Sequence, residues 1–535
     1  MTAGAGSGPA QHGEADPAWP RVTRRTTLAA AAGLAAGAAL PRTALARPRP
    51  GDPRARLPAP ASIDASSPAD LSAVEAAALL QARRLSSREL TEACLGRIHA
   101  RQPALNAWVR TYAERALQQA DAADRRLADA RRRRGGVALV CGIPIGLKDL
   151  YAVQGLPLTA SSRVLDGNVA TGDSTVWARL RSAGMVLLGH THTDEFAFGV
   201  GTPQTGNPWD PGRSPGGSSG GSGSAVGARM TPLATGTDTG GSLRSPASAC
   251  GVSSIKPTFG LVSAYGVIPL VWSRDHPGPM GRSAADCALL LSYMAGRDPG
   301  DGASLAVPPP PALYPLAAGP SARPFAGRRF GVAPDAGTGL PAGTAPLWQT
   351  FLDQVRALGG EVVEVAEPTA PPGITGDIAE VWSYHQQFGP AALPKYRAEI
   401  AAVLTAAHAA AELPMLDYLT FQRARLMYTR SWQEHFGAHR LDAVVKPGTT
   451  LDGATRRDLA GITVFSESVT GDYSWANYGE LPVAATPVGR SRATGMPFGV
   501  QIGAPPHRET ALLQLVLDYQ AHHPAWRATP EGLPA

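Results

Sequence analysis

Apolar residues recur along this chain at two different spacings, and their succession predicts the fold. Helical spacing begins near Ala69. Behind Ser86-Ser87-Arg88-Glu89, which has the form of a capping box, Leu90, Cys94, Ile98 and Leu105 fall on roughly one helical face. A second helix, rich in Ala, Gln, Asp and Arg, is predicted from about Thr111 to Arg134. From Val137 to Leu147 the pattern changes to strand-like alternation and stops at Lys148-Asp149, with Ile143, Ile145 and Leu147 on one side and Lys148 on the other. Trp177–Ala183 reads as a helix, Gly184–Gly189 as a short buried strand, Arg329–Ala333 as another strand, and about Gly376 to Phe436 as an Ala-rich helical region. Between them, Val307 to Arg323, with Pro308–Pro311, marks a surface connection. Helices alternating with strands predict an α/β fold with helices outside a sheet. There is no internal repeat.

Composition narrows this picture. With 535 residues the chain can bury a large core, as one domain or as two or three. Only four of its 49 basic residues are lysine (Lys148, Lys256, Lys395 and Lys446), so each lysine position is informative, because arginine cannot act as a base at neutral pH. The net charge of +6 is modest, and the run Arg131–Arg134 before Gly135-Gly136 reads as a solvated helix end. No basic–aromatic interleaving marks a nucleic-acid surface. Cys94, Cys141, Cys250 and Cys287 are widely spaced, which indicates neither a disulfide framework nor a zinc site.

Residues 1–46 read as a twin-arginine type signal peptide. Arg24-Arg25-Thr26-Thr27-Leu28 precedes an Ala/Gly/Leu run to Leu40, and Ala44-Leu45-Ala46 supplies a small-x-small cleavage site. The run is shorter than the ~20 residues of a spanning helix, so no stable membrane anchor is expected after processing. The mature, exported protein would begin near Arg47, with residues 47–67, rich in Pro, Ala and Arg, disordered.

Three stretches carry candidate chemistry. Gly216-Gly217-Ser218-Ser219-Gly220-Gly221 and Thr237-Asp238-Thr239-Gly240-Gly241-Ser242-Leu243-Arg244 are Gly/Ser clusters, and Gly142–Asp149 places Lys148 upstream of both. A serine behind glycines can meet a carbonyl against bare backbone N–H groups, and a desolvated lysine can be a neutral base. Taken singly, each has a plainer reading: a surface lysine at a strand end, a Gly-Gly-Ser turn, and a flexible linker. Asp238 and Arg244 flank the turn and are assigned to holding it.

Together, Gly142–Asp149, Asn207-Pro208-Trp209-Asp210, Pro215–Ser222, Gly236–Arg244 and Lys256-Pro257-Thr258 resemble the amidase signature hydrolases, most densely over residues 142–261. The resemblance implies an amidase domain over residues 68–530, built as a single large α/β/α sandwich around a central mixed, twisted β-sheet. It implies a Ser-cisSer-Lys triad with Ser242 as nucleophile, Ser218 as proton bridge and Lys148 as base. It also implies an oxyanion hole from the backbone N–H groups of Thr239, Gly240, Gly241 and Ser242, with Gly217 relieving crowding before the bridging serine. The expected reaction is hydrolysis of a small-molecule amide through an acyl-enzyme on Ser242, with no cofactor and no metal; a homodimer is compatible with the sequence. The acyl pocket is expected in the second half of the chain, where residues such as Trp382, Tyr384, Phe388 and Tyr396 supply aromatic surface, although core packing is the ordinary explanation for most of them.

The chain departs from the family pattern at Gly189-His190-Thr191-His192 and at Ser254. His190 and His192 superficially match the His-x-His of metal-dependent amidohydrolases, although a further ligand set is missing and His435/His439 have only a helical spacing. Gly217–Gly221 also matches G-x-S-x-G with Ser219 as nucleophile, a match that costs little in so glycine-rich a segment. A third alternative is a glutamine amidotransferase-type subunit. Relatives of that kind often carry glutamine where this chain has Ser245, and an exported subunit would be separated from tRNA.

Overall fold

The capping box forms as its sequence predicts. Ser86 Oγ accepts the Glu89 N–H at 3.1 Å, the Ser86 N–H donates to the Glu89 carboxylate at 2.8 Å, and Leu90, Cys94, Ile98 and Leu105 are buried along the helix Ser87–Leu105. The computed structural model describes residues 57–534 apart from 64–65, 133–135, 309–318, 320, 371–374, 410–414, 450, 464 and 466–472. The predicted signal segment 1–46, most of 47–67 and most of the Pro-rich connection lie outside the described residues.

Eleven strands form one sheet: β1 (Trp108–Thr111), β2 (Pro144–Lys148), β3 (Val186–Thr191), β4 (Leu233–Asp238), β5 (Ser253–Lys256), β6 (His276–Gly281), β7 (Arg329–Val332), β8 (Glu361–Glu364), β9 (Ala443–Pro447), β10 (Val483–Arg490) and β11 (Pro497–Gly503). Their order is β1-β3-β2-β4-β6-β5-β10-β11-β9-β7-β8. β2 runs parallel to β3 and β4, and β7 parallel to β8 and β9, while the remaining pairs are antiparallel. The sheet is therefore mixed and the fold class is α/β. Among the described residues no helix is long and apolar enough to cross a membrane.

Several elements differ from their sequence patterns. The predicted strand Val137–Leu147 is a strand only over Pro144–Lys148. Before it the chain makes consecutive turns, closed by Cys141 N–H to Ala138 C=O and Ile143 N–H to Val140 C=O. Nearly every residue from Val140 to Leu150 is buried, so the apolar run reported burial and not alternation. The region from Gly376 to Phe436 divides into helices Thr375–His385, Ala398–Ala409 and Met415–His439. The Gly/Ser stretch opens a buried helix, Gly220–Gly227, and is no linker.

β6, with sequence His-Pro-Gly-Pro-Met-Gly, carries almost no strand signal. It pairs with β4 along its whole length, whereas β5 meets only Met280 and Gly281. That leaves no ladder on the β5 side for Pro277 and Pro279 to break.

Candidate active site

The three stretches converge at the carboxyl ends of the adjacent parallel strands β2 and β4, where open α/β sheets place their ligands. Lys148 is the last residue of β2, and Ser218 lies in the loop entering helix Gly220–Gly227. Ser242 lies in the turn between β4 and helix Arg244–Cys250.

Lys148 is fully buried. Its Nζ lies 2.8 Å from Ser218 Oγ, 2.9 Å from Ser219 Oγ and 2.8 Å from Thr237 Oγ1. Burial disfavours the ammonium form and brings the amine from 10.5 down to about 7, against the opposing pull of Asp238, Asp275 and Asp194. No carboxylate is within salt-bridge distance of it among the described residues, so its immediate partners are all uncharged. Ser219 and Thr237 were not expected as partners. Their signal was available, since Thr237 points the same way as Thr235 on the strand beside Lys148.

The Gly217–Ser218 peptide is cis. A Cβ on Gly217 would come within 2.6 Å of the Gly201 nitrogen, so only glycine fits there. The Ser218 carbonyl accepts the Asp194 N–H at 2.8 Å and Thr202 Oγ1 at 3.3 Å. Ser219 Oγ donates to the Thr237 carbonyl at 3.2 Å and accepts the Thr237 N–H at 3.3 Å, so it is tied to β4 and to the amine.

Asp238 and Arg244 form a buried two-point ion pair, Nε to Oδ2 and Nη2 to Oδ1, both 3.0 Å. The carboxylate also accepts the Gly241 N–H at 2.7 Å and the Leu243 N–H at 3.1 Å, while Ser254 Oγ donates to the Leu243 carbonyl at 3.1 Å. Burial works against the Asp238 charge, but Arg244, Lys256 and Asn477 outweigh it and hold the carboxyl far below the usual carboxylate range. These bonds fold the turn around Ser242, whose Oγ is buried and has no hydrogen-bond partner among the described residues.

Of the four N–H groups expected to face an oxyanion, that of Gly241 already donates to Asp238 at 2.7 Å. Gly241 has φ +110°, and a Cβ there would meet the Tyr473 ring at 2.6 Å, so this position also requires glycine.

His190 and His192 sit at the end of β3, and each is engaged by protein groups. His190 Nε2 donates to the Tyr151 carbonyl at 3.1 Å and Nδ1 faces Tyr112 Oη at 2.8 Å, while His192 Nδ1 lies 3.0 Å from Ser161 Oγ. Burial pushes His192 down to about 4. No cluster of three or more His, Cys, Asp or Glu among the described residues has the arrangement a metal needs.

A cavity of 220 Å³ opens beside Thr237 and Thr239, walled by Leu150, Ala197, Val267, Ile268, Leu270 and Trp272, with Asp275 its single charged group. None of the second-half aromatics lines it. Instead Tyr384, Phe388 and Tyr396 pack around Phe196. Their number along the sequence reflected core packing.

The Amidase family profile matches residues 89–513. This chain belongs to the Amidase family. It is 42% identical over 305 residues to a glutamyl-tRNA(Gln) amidotransferase subunit from Aromatoleum aromaticum, an alignment covering 56% of this chain and only 61% of that relative. A longer match, 34% identical over 476 residues, covers 82% of this chain and 94% of the corresponding amidotransferase subunit from Anaeromyxobacter dehalogenans. In structure the amidase chain resembles the peptide amidase of Stenotrophomonas maltophilia, with TM-score 0.70 and 28% identity over 87% of this chain and 99% of that one.

Burial of Lys148 sets a stability signature. The folded state binds fewer protons than the unfolded chain between pH about 7 and 10.5, so stability should rise with pH through that window. Lys148→Met should lose the Lys148 share of this slope and keep that of Lys256, which burial also brings down to about 7. Raising the pH from about 7.5 to about 9.5 should stabilise wild type relative to the variant by roughly 2–3 kcal/mol in urea titrations; parallel curves would show that the amine is not desolvated.

Proposed function

We propose that this amidase cleaves a carboxylic amide, R–CO–NH–R′, by passing its acyl group to Ser242 and then to water. The observation that carries this reading is the buried Lys148 amine held only by hydroxyls, one of them Ser218, with the adjoining Ser219 N–H donating to the Ser242 carbonyl at 3.3 Å and the Ser242 hydroxyl buried and unpartnered. Ser219 gives its proton to the Thr237 carbonyl, so towards Ser219 the amine is the donor. The Ser218 hydroxyl can then aim its proton at the lone pair of neutral Nζ.

As Ser242 Oγ attacks the carbonyl carbon, its proton passes to Ser218 Oγ while the Ser218 proton passes to Lys148. The oxyanion is met by the N–H groups of Thr239, Gly240 and Ser242, where a single donor is worth ~3–4 kcal/mol. Collapse breaks the C–N bond, and the proton returns through Ser218 to the departing nitrogen. Water then repeats the sequence and releases the acid. Ser242→Ala should retain less than about a thousandth of kcat/KM. Wild-type kcat/KM should fall about tenfold per pH unit below a midpoint near 7, because only the neutral amine accepts a proton. A tenth of the activity surviving in Ser242→Ala, or a flat profile from about pH 6 to 8, would overturn the mechanism.

The largely apolar cavity favours amides with an uncharged acyl group. The names of the curated relatives favour a second setting for the same cleavage, a glutamine amidotransferase-type subunit. The purified chain alone, assayed with a graded panel of primary amides and with glutamine, separates the two. Turnover of apolar amides by the lone chain is expected; ammonia release from glutamine with no turnover of the apolar amides would select the second setting.

Export is part of the proposal and rests on residues 1–46. Replacing Arg24 and Arg25 by lysine should retain the activity inside the cell. Undiminished activity in the medium would remove the twin-arginine route.

A further inference from the structure

The turn carrying Ser242 is gripped by a residue that none of the sequence patterns marked. Arg274 is buried, and its Nη1 donates to the Thr239 carbonyl at 2.9 Å. The Thr239–Gly240 peptide is trans, so its carbonyl and its N–H point in opposite directions. A carbonyl held towards Arg274 therefore turns the Gly240 N–H to the opposite face. The preceding peptide is treated alike. The Asp238 carbonyl accepts Asn477 Nδ2 at 2.8 Å, which turns the Thr239 N–H away from that side.

Arg274 itself has little freedom. Its Nη2 lies 2.7 Å from Asp377 Oδ2 with both side chains buried, and its guanidinium carbon stands 4.8 Å above the Tyr478 ring. Tyr478 Oη donates to the same Asp377 oxygen at 2.6 Å. Next to it, Asp275 accepts the Thr239 hydroxyl and the N–H groups of Leu270 and Val271. The peptide plane that would present Gly240 is thus set by a guanidinium whose own position comes from helix Thr375–His385, far outside residues 142–261.

We propose that Arg274, anchored by Asp377, is a positioning residue that fixes the Thr239–Gly240 peptide so that the Gly240 N–H faces the oxyanion of the reacting amide. This rests on the acyl-enzyme reading above. Arg274 touches neither the triad nor the cavity, so its effect is confined to a donor that matters only when negative charge develops.

The test uses Arg274→Met and the double variant Arg274→Met/Asp377→Asn, which leaves no uncompensated buried carboxylate. Arg274→Lys keeps a countercharge for Asp377 and guards against loss of the fold. Circular-dichroism melts and titration of Ser242 with a serine-reactive phosphonate report the folded, competent fraction of each. The probes are the best primary amide of the panel, its aldehyde analogue (which becomes a tetrahedral oxyanion on the serine) and its alcohol analogue, which cannot.

Per competent site, the Met variants should lose about a hundredfold in kcat with KM within about threefold. Aldehyde affinity should fall in step with kcat/KM while alcohol affinity stays unchanged, and Arg274→Lys should recover part of both losses. Retention of kcat within about threefold in the folded Met variant, or equal loss of aldehyde and alcohol affinity, would overturn the proposal. Ser242→Ala run in parallel keeps the two readings apart: if it is inactive while the Arg274 variants are not, only the Arg274 proposal falls.

Discussion

A lysine amine with no carboxylate partner, sealed among three hydroxyls, is the constraint around which this structure is organised. Bringing Lys148 from 10.5 to about 7 corresponds to a cost on the order of 5 kcal/mol for holding the ammonium form. Three hydrogen bonds to neutral groups return only about 1 kcal/mol each, so they cannot restore the charge. A substantial fraction of the amine is therefore neutral near pH 7, and a neutral amine has a lone pair to offer. Ser219 and Thr237 then matter as much as Ser218. They occupy the other directions around Nζ with groups that stabilise position without stabilising charge.

The second half of the problem is to bend the chain around Ser242, whose carbonyl accepts the N–H of Ser219, a partner of this amine. Asp238 and Arg244 achieve it by satisfying turn N–H groups with a carboxylate that is itself charge-paired. Breaking such a buried pair by removing one partner typically costs ~3–5 kcal/mol, a large share of a domain's net stability. The arrangement also selects among the backbone donors. The Gly241 N–H is spent on tying the turn, so the residues that make the loop rigid also decide which of its N–H groups stay free of the carboxylate.

Much of the site was legible because its parts are local. The capping box at Ser86, the strand ending at Lys148 and the glycines at 217 and 241 each follow from a short-range rule, and the structure places them accordingly. What escaped was non-local or inverted. β6 has a sequence that propensity assigns to a loop, and it becomes a strand because β4 supplies a full-length partner. The helix Gly220–Gly227 has poor intrinsic propensity and survives by burial against close-approaching backbone. The apolar run before Pro144 misled by the same token: residues buried on every side carry no alternation, and the turns within it left no signature. Tyr384, Phe388 and Tyr396 pack around Phe196, the ordinary outcome for such aromatics, and composition alone reports how much aromatic area exists and not which way it faces.

The residues that support the turn come from the far end of the chain. Tyr473, Asn477 and Gln501 all accept hydrogen bonds from Arg244, and Asp377 reaches the Thr239 carbonyl through Arg274. Lys148, Ser218 and Ser242 thus lie within residues 148–242, while the groups that hold their loops in place are distributed over a much longer span. Short motifs can report which atoms react. They cannot report how firmly those atoms are held, because that depends on contacts made across the sheet between β4 and segments hundreds of residues away. The distant half of the sequence is therefore as much a part of this site as the short motifs, because it holds the turn on which Ser242 stands.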